Sequence, residues 1–243
     1  MLIIAFTAVA RWRRPILLAG LTLAVVFGVL EELGERGRRF PLFTVWSGLT
    51  MVLLVLFVVA AYKYHPATLV ALSQEPAFTP RANPARVFAA LLFTLQGGLL
   101  VADNIHDVVD GEELWGFSAA LIGLWVLVLG LHWRLTWGWF GVELRPDGLY
   151  DRQPLGSWFV PWDAFVRAYP AVPDGSQRVA LYLERPELVR RRGLRIGGSK
   201  VQAAGIDAAF LAWTINVYVT DSGHRSAIGT EAELQRLTAP AAR

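Results

Sequence analysis

The chain changes chemistry near Trp139: four long apolar runs come before it, and about 105 residues of short β-type runs and turns come after it. A chain divided this way is expected to fold as a helical membrane region carrying a water-soluble module. Composition points the same way, with 54% hydrophobic residues and a mean hydropathy of +0.41, above what a soluble core of this size needs. Charged residues make up only 18% and are bunched. A net charge of +3 is too small for a nucleic-acid binder, in which basic stripes dominate. Arginine outnumbers lysine 21 to 2, which reads as codon bias, and cysteine is absent. Disulfides, thiolate metal sites and thiol catalysis are therefore excluded.

A bilayer core of about 30 Å takes about 20 helical residues. Leu42–Tyr62 is uncharged and long enough, and Leu114–His132 nearly so. Ile16–Leu30 has 15 residues and Val87–Ala102 has 16, which at roughly 22–24 Å fall short of a crossing unless flanking polar residues are drawn inward. The spacing predicts four transmembrane helices over about 15–33, 42–62, 86–107 and 114–135, within a region spanning 1–138. Leu2–Ala10 is too short to span and precedes the Arg11/Arg13/Arg14 cluster, the reverse of a signal peptide's order. It reads as an interfacial lead-in. With the N-terminus inside, inner flanks carry Arg11, Arg13, Arg14, Lys63, Arg81, Arg86 and Arg134, against Arg36, Arg38 and Arg39 outside. The excess favours an inner-membrane, multi-pass protein with both termini cytoplasmic. Trp12, Trp133, Trp137 and Trp139 then fall at the inner boundary, and Trp46 and Trp115 at the outer one. Almost no linker precedes Val142, so the module is expected to sit against the membrane.

From 139 to 243 the pattern is α+β. Val142–Leu144 and Leu149-Tyr150 flank Pro146-Asp147-Gly148, and Val166–Val172 and Arg178–Leu183 flank Pro173-Asp174-Gly175, turns in which Gly supplies positive φ. Alternation over Val179–Leu183 predicts a strand packed on both faces, and Leu194-Arg195-Ile196 predicts another. Ala208, Leu211, Ile215 and Tyr218 share a helical face behind an Asp207 N-cap. Thr230 and Glu233 form a capping-box pattern opening a last short helix.

Gly141–Gly148 (GVELRPDG), the Phe159-Val160-Pro161-Trp162 step and the closing YVTDSGHRSAIGTEAELQRL resemble the bacterial pleckstrin-homology-like (PH-like) domains carried by small membrane proteins. The matching closing positions are Tyr218, Arg225, Gly229 and Thr230. The resemblance covers about 100 residues and implies a roughly seven-stranded, partly open β-barrel capped by a C-terminal helix, with no catalytic residues and no cofactor. Inside this domain Arg185, Arg190, Arg191, Arg192, Arg195 and Lys200 put six cations within 16 residues. They are candidates for contact with anionic lipid headgroups, at about 1 kcal/mol each near the surface. The plainer reading is a solvated loop.

The two short helices end in acidic residues: Glu31, Glu32 and Glu35 after the first, and Asp103, His106, Asp107 and Asp110 after the third. Asp103, Asp107 and Asp110 share one helical face, and carboxylates with one imidazole suit Mg²⁺, Mn²⁺ or Zn²⁺. Glu31-Glu32-Leu33-Gly34-Glu35-Arg36 and His106–Asp110 resemble the EExxxR and HxxxD/N elements of the CAAX-type intramembrane proteases. The family's intervening FxxxH element is absent, and the one histidine between the matches, His65, lies at the other end of the second helix. Ser222/His224 lacks a third partner for nucleophilic catalysis, Gly197–Lys200 lacks phosphate-loop spacing, and Gln96-Gly97-Gly98 suits close helix packing. The sequence therefore favours a non-catalytic binding or scaffolding protein whose module contacts lipid or a cytoplasmic protein. The alternative is a cation-dependent protein using Glu31, Glu32, Asp103, His106, Asp107 and Asp110.

Overall fold

The apolar runs fold as helices longer than themselves. A lead-in helix α1 (Leu2–Arg11) is followed by α2 (Arg13–Leu33), α3 (Arg39–Lys63), α4 (Pro84–Val109) and α5 (Trp115–Trp137). The structure is a computed structural model. It describes the chain apart from residues 1, 34–38, 73, 112–114, 139, 195–197 and 240–243, and apart from the side chains of 2, 31–33, 39–43, 102, 106 and 107. The two runs that looked short extend to 21 and 26 residues, or about 32 and 39 Å, by taking their polar flanks into the helix. The result is four helices long and apolar enough to cross a membrane. The break at Trp12 has a local cause: Pro15, in the first turn of α2, would clash with the Arg11 carbonyl if α1 ran on unbroken.

Met1–Lys63 and Asn83–Gly138 form one compact unit. Its centre is α4, whose span is 47% buried against at most 17% for the other three. Glycine lets α2 approach α4: a Cβ on Gly98 would lie 3.1 Å from that of Ala24, and one on Gly20 would run into Leu91. These two pairs show that α2 and α4 are parallel. Antiparallel α5 is tied to α4 by hydrogen bonds from Trp133 Nε1 to Thr94 Oγ1 (3.1 Å) and from Thr136 Oγ1 to the Arg86 carbonyl (3.2 Å). Gln96 Nε2 donates to Thr50 Oγ1 of α3 at 3.1 Å, and Phe27 meets Trp46 with ring centroids 4.4 Å apart. The Arg14 guanidinium stands 5.6 Å from the Trp137 ring centroid. One end of this bundle therefore gathers the starts of α2 and α4 and the finish of α5, with their basic residues.

The second unit is Tyr64–Ala82 together with Trp139–Arg243. The expected boundary after residue 138 thus omits a piece: the segment between the second and third long helices folds with the module. It supplies β1 (Leu69–Ala71) and β2 (Phe78–Pro80), and the remaining strands are β3 (Gly141–Arg145), β4 (Gly148–Gln153), β5 (Gly156–Pro161), β6 (Ala171–Pro173), β7 (Arg178–Leu181), β8 (Arg190–Gly193) and β9 (Lys200–Gln202). All pairings are antiparallel, in a six-stranded sheet ordered β1-β2-β3-β4-β5-β8 and a three-stranded sheet ordered β6-β7-β9. The core joins Phe78, Leu144, Leu149, Trp158, Val160, Val179, Leu181 and Val201 to helix α6 (Ala208–Thr220). Ala208, Leu211, Ile215 and Tyr218 of α6 are all buried, and the Asp207 carboxylate accepts from the Phe210 N–H at 2.8 Å. A last helix, α7 (Glu231–Thr238), follows a 3-10 stretch over Ser222–Ala227.

Local expectations are corrected in three places. Gly148 does not take positive φ; it is needed because a Cβ there would meet the Val160 carbonyl and lie 2.9 Å from Pro161 Cα. Gly175 does turn with φ +75°. The strand expected over Val166–Val172 is confined to Ala171–Pro173. In β7 and its continuation, Val179 and Leu181 are buried while Tyr182 is exposed, so one face is solvated. The strand expected over Leu194-Arg195-Ile196 falls mostly outside the described residues, and β8 ends just before it at Gly193.

Candidate functional site

The three consecutive arginines of β8 form a strand at the edge of the six-stranded sheet. Cationic side chains suit an edge, because they discourage pairing with another chain. Register decides where each one goes. Arg190 pairs with Phe159, Arg191 with Trp158 and Arg192 with Ser157, so Arg190 and Arg192 share the solvent face while Arg191 turns to the other, its guanidinium 5.9 Å from the Trp158 centroid. Next along that solvent face comes Tyr150, paired with Phe159, and then Glu143, paired with Tyr150.

On this face lies a groove of about 330 Å³ lined by Arg145, Asp147, Tyr150, Ser157, Phe159, Arg190 and Arg192. That volume lies in the small-ligand range. Arg145 is fixed by its hydrogen bonds to Glu143 Oε2 (2.7 and 3.2 Å), by Glu75 at 2.9 Å, and by its place 5.0 Å from the Tyr150 centroid. Burial alone would lower its pKa, but the Glu143 hydrogen bond and the charges of Glu143, Glu75 and Asp147 hold it above the ordinary value. Arg152 stacks on Tyr150 at 5.4 Å. Among the described residues Arg190 and Arg192 make no ion pair, and both are exposed. The groove thus has one end where cations are already neutralised and another where two guanidiniums face solvent. Guanidinium forks, with the Tyr150 and Ser157 hydroxyls as hydrogen-bonding groups, suit a phosphate or carboxylate.

The five described members of the six-cation cluster read from the sequence are therefore separated. Among them only Arg190 and Arg192 meet in the groove, joined by Arg145, Tyr150 and Ser157 from strands some 30 to 50 positions earlier. Arg185 is exposed at the turn before a 3-10 stretch (Pro186–Leu188). Lys200 lies in the other sheet, 2.8 Å from Asp174, whose carboxyl is held low by that hydrogen bond and charge. Arg195 lies outside the described residues. The omission of Arg145 and Tyr150 at the sequence level is understandable: only the β3–β4–β5–β8 register brings them alongside the arginines.

The residues that carry the PH-like resemblance act as staples. Trp162 Nε1 donates to the Arg145 carbonyl at 2.9 Å, closing the β3–β4 hairpin. Arg225 donates to the Tyr218 and Val219 carbonyls at 2.7 and 3.2 Å, capping α6, and reaches Asp163 at 3.3 Å. Gly229, at φ +93°, accepts the close approach of Pro76 and Ala77, 2.7 Å from where its Cβ would stand. Half of the expected capping box is present: Thr230 Oγ1 accepts from the Glu233 N–H at 3.3 Å. The Glu233 carboxylate turns inward instead, accepting from the Tyr218 hydroxyl at 3.1 Å and from Arg236 at 2.7 and 2.8 Å, with His224 Nδ1 3.5 Å away.

The acidic candidates sit on the far ends of α2 and α4. Because these helices are parallel, their C-terminal turns emerge at the same end of the bundle. Asp103 and Asp110 are exposed; the side chains of Glu31, Glu32, His106 and Asp107 lie outside the described ones. Among the described residues no three His, Asp or Glu side chains gather as metal ligands would. Compared with family models, curated proteins and solved structures, the chain matches none.

Proposed function

We propose that the chain is a four-span membrane protein of non-catalytic, binding type, whose α+β unit is a PH-like module that captures an anionic group in the groove between Arg145 and Arg192. The observation that carries this reading is the pair of exposed, unneutralised guanidiniums of Arg190 and Arg192 on the same face as Tyr150 and Ser157. The PH-like reading is supported by two antiparallel sheets packed on α6, by the Pro161-Trp162 step and by the Tyr218–Arg225 staple. It departs from the family pattern in taking β1 and β2 from an interhelical segment. The membrane reading is supported by the four long apolar helices and by the collection of basic residues and tryptophan at one end of the bundle. In this topology that end, both termini and the module are cytoplasmic, at the inner membrane. The ligand is then an anionic lipid headgroup or an acidic segment of a protein partner.

Two cations near an anionic surface contribute about 1 kcal/mol each, so the Arg190→Ala/Arg192→Ala double variant is expected to bind anionic lipid roughly ten- to thirty-fold more weakly. The measurement is binding of short-chain phosphatidic acid to the detergent-solubilised full chain, at low and at moderate salt. Wild-type binding that weakens with salt, and weakens further in the variant, is the expected result. Equal affinity of variant and wild type contradicts the assignment of the groove.

A further inference from the structure

Three stretches of chain link the module to the long helices, two entering it and one leaving, and all three join it at one end of its six-stranded sheet. Leu69 opens β1 opposite Pro80, the last residue of β2. Phe78 lies opposite Leu144 in an antiparallel pair, which puts Pro80 toward the Gly141 end of β3. Gly141 itself opens β3 opposite Arg152. The turn between β4 and β5 lies at that same end, since Gln153 pairs with Gly156 one step beyond the Arg152–Ser157 pair. So does the finish of β8, where Gly193 lies opposite Gly156.

Two leucines project from this end. Leu155 is in the β4–β5 turn and Leu194 follows β8, and the Leu194 N–H donates to the Leu155 carbonyl at 2.9 Å. They are 65% and 74% exposed, the two most exposed large apolar side chains of the module among the described residues. The backbone beneath them is closely packed. A Cβ on Gly156 would lie 2.5 and 2.6 Å from the Arg192 and Leu194 carbonyl oxygens, and Gly193 holds φ +68° against Leu155 and Gly156. Behind the leucines, Arg152, Ser157 and Arg192 form one row across three strands. At about 3.3 Å per strand residue Leu194, two positions past Arg192, stands roughly 7 Å further along the strand, within the depth to which apolar groups enter the headgroup–acyl boundary while cations stay with the phosphates.

We infer that Leu155 and Leu194 insert into the interface of an anionic lipid bilayer, with Arg192 at its headgroup phosphates. The occupant is lipid because the tip lies at the end of the sheet where the chain joins the long apolar helices, and because its apolar point is backed by the exposed Arg192. The inference rests on the membrane reading above and adds the element by which the module docks.

The chain has no cysteine, so single-cysteine variants of the full chain carry one fluorophore each. The variants are L155C, L194C, L188C as a control at the other end of β8, and L127C on the exposed face of α5, each labelled with an environment-sensitive dye and reconstituted in phosphatidylethanolamine/phosphatidylglycerol vesicles. Lipids bearing a shallow or a deep nitroxide then report depth. The expected pattern is blue-shifted emission and shallow-nitroxide quenching at 155 and 194, at least threefold stronger than at 188, with deep quenching at 127. Deep quenching at 127 with 155 and 194 no more quenched than 188 overturns the docking inference and leaves the membrane reading standing; a partner protein covering the tip gives this result. Absence of quenching at 127 overturns the membrane reading, and the docking inference falls with it.

Discussion

A fragment running from Trp139 to Arg243 is expected to remain unfolded or aggregate in water, whereas the same fragment joined through a flexible linker to Tyr64–Ala82 is expected to melt cooperatively. The module's core includes Leu69, Ala77 and Phe78, and Phe78 is fully buried. Full burial of a Leu or Phe side chain contributes about 1.5–3 kcal/mol, so losing both removes roughly 3–6 kcal/mol from a unit whose whole stability is on the order of 5–15 kcal/mol. The loss does not stop at burial. Removing β2 leaves β3 as an open edge, a template for aggregation. It also removes the Pro66 carbonyl that accepts the Asp207 N–H at 3.1 Å at the start of α6, and the backbone that fills the hollow at Gly229. Thermal circular dichroism on the two fragments decides the matter. A sharp transition in the short fragment would show the interhelical strands to be ornamental.

The second large effect is centred on Glu233, which is 4% exposed and joins α6, the 3-10 stretch and α7. Glu233→Ala leaves the Tyr218 hydroxyl without its acceptor inside the core and takes from Arg236 both of its short hydrogen bonds. Removing one partner of a buried pair costs about 3–5 kcal/mol. Arg236 is about one-third exposed, so solvent recovers part of this and roughly 2–4 kcal/mol is expected. The pH dependence has a definite sign. Burial alone would raise the Glu233 pKa, but the Arg236 hydrogen bonds and charge, the Tyr218 hydroxyl and His224 together hold it below the ordinary carboxylate value. A carboxyl depressed in the folded state contributes stability that is present above its unfolded pKa of about 4.5 and is lost as pH falls through the folded value. Denaturant melts of the module between pH 7 and pH 3 are therefore expected to show an acid-side loss that the Glu233→Gln variant lacks. The same acid-side slope in both would assign it to other carboxylates. Tyr218, whose pKa is pushed well up by burial and by the Glu233 charge and hydrogen bond, stays a neutral donor throughout.

The helical half of the fold was legible because a run such as Leu42–Tyr62 satisfies a composition test that needs no partner. Its ends were less so: α2 and α4 carry charged residues within the helix, and their true lengths appear only when Gly20 and Gly98 seat them together. The three-residue strands β1 and β2 are too short for periodicity to register, and β3, which joins them to the sheet through β2, lies some 60 residues away. Hence the sequence places the segment between two apparent spans with the helical region 1–138. Three consecutive arginines read as a solvated stretch for a similar reason. Only opposite Ser157 and Phe159 does their alternation send Arg190 and Arg192 into a groove and Arg191 against Trp158. Glu233 was legible as a helix-capping residue, but its inward turn depends on Tyr218 and Arg236 being at hand, which no local pattern reports.

The assembly of one module from two segments also makes a demand on topology, since the segment before α4 and the segment after α5 must lie on one side of any membrane the helices cross. Single cysteines at Gln74, Ser176 and Asp110, all exposed positions, can be probed with a membrane-impermeant maleimide in sealed vesicles of known orientation. Residues 74 and 176 are expected to label together from one side, with 110 labelling only from the other. Labelling of 74 and 176 from opposite sides, or of all three from one side, would contradict the account.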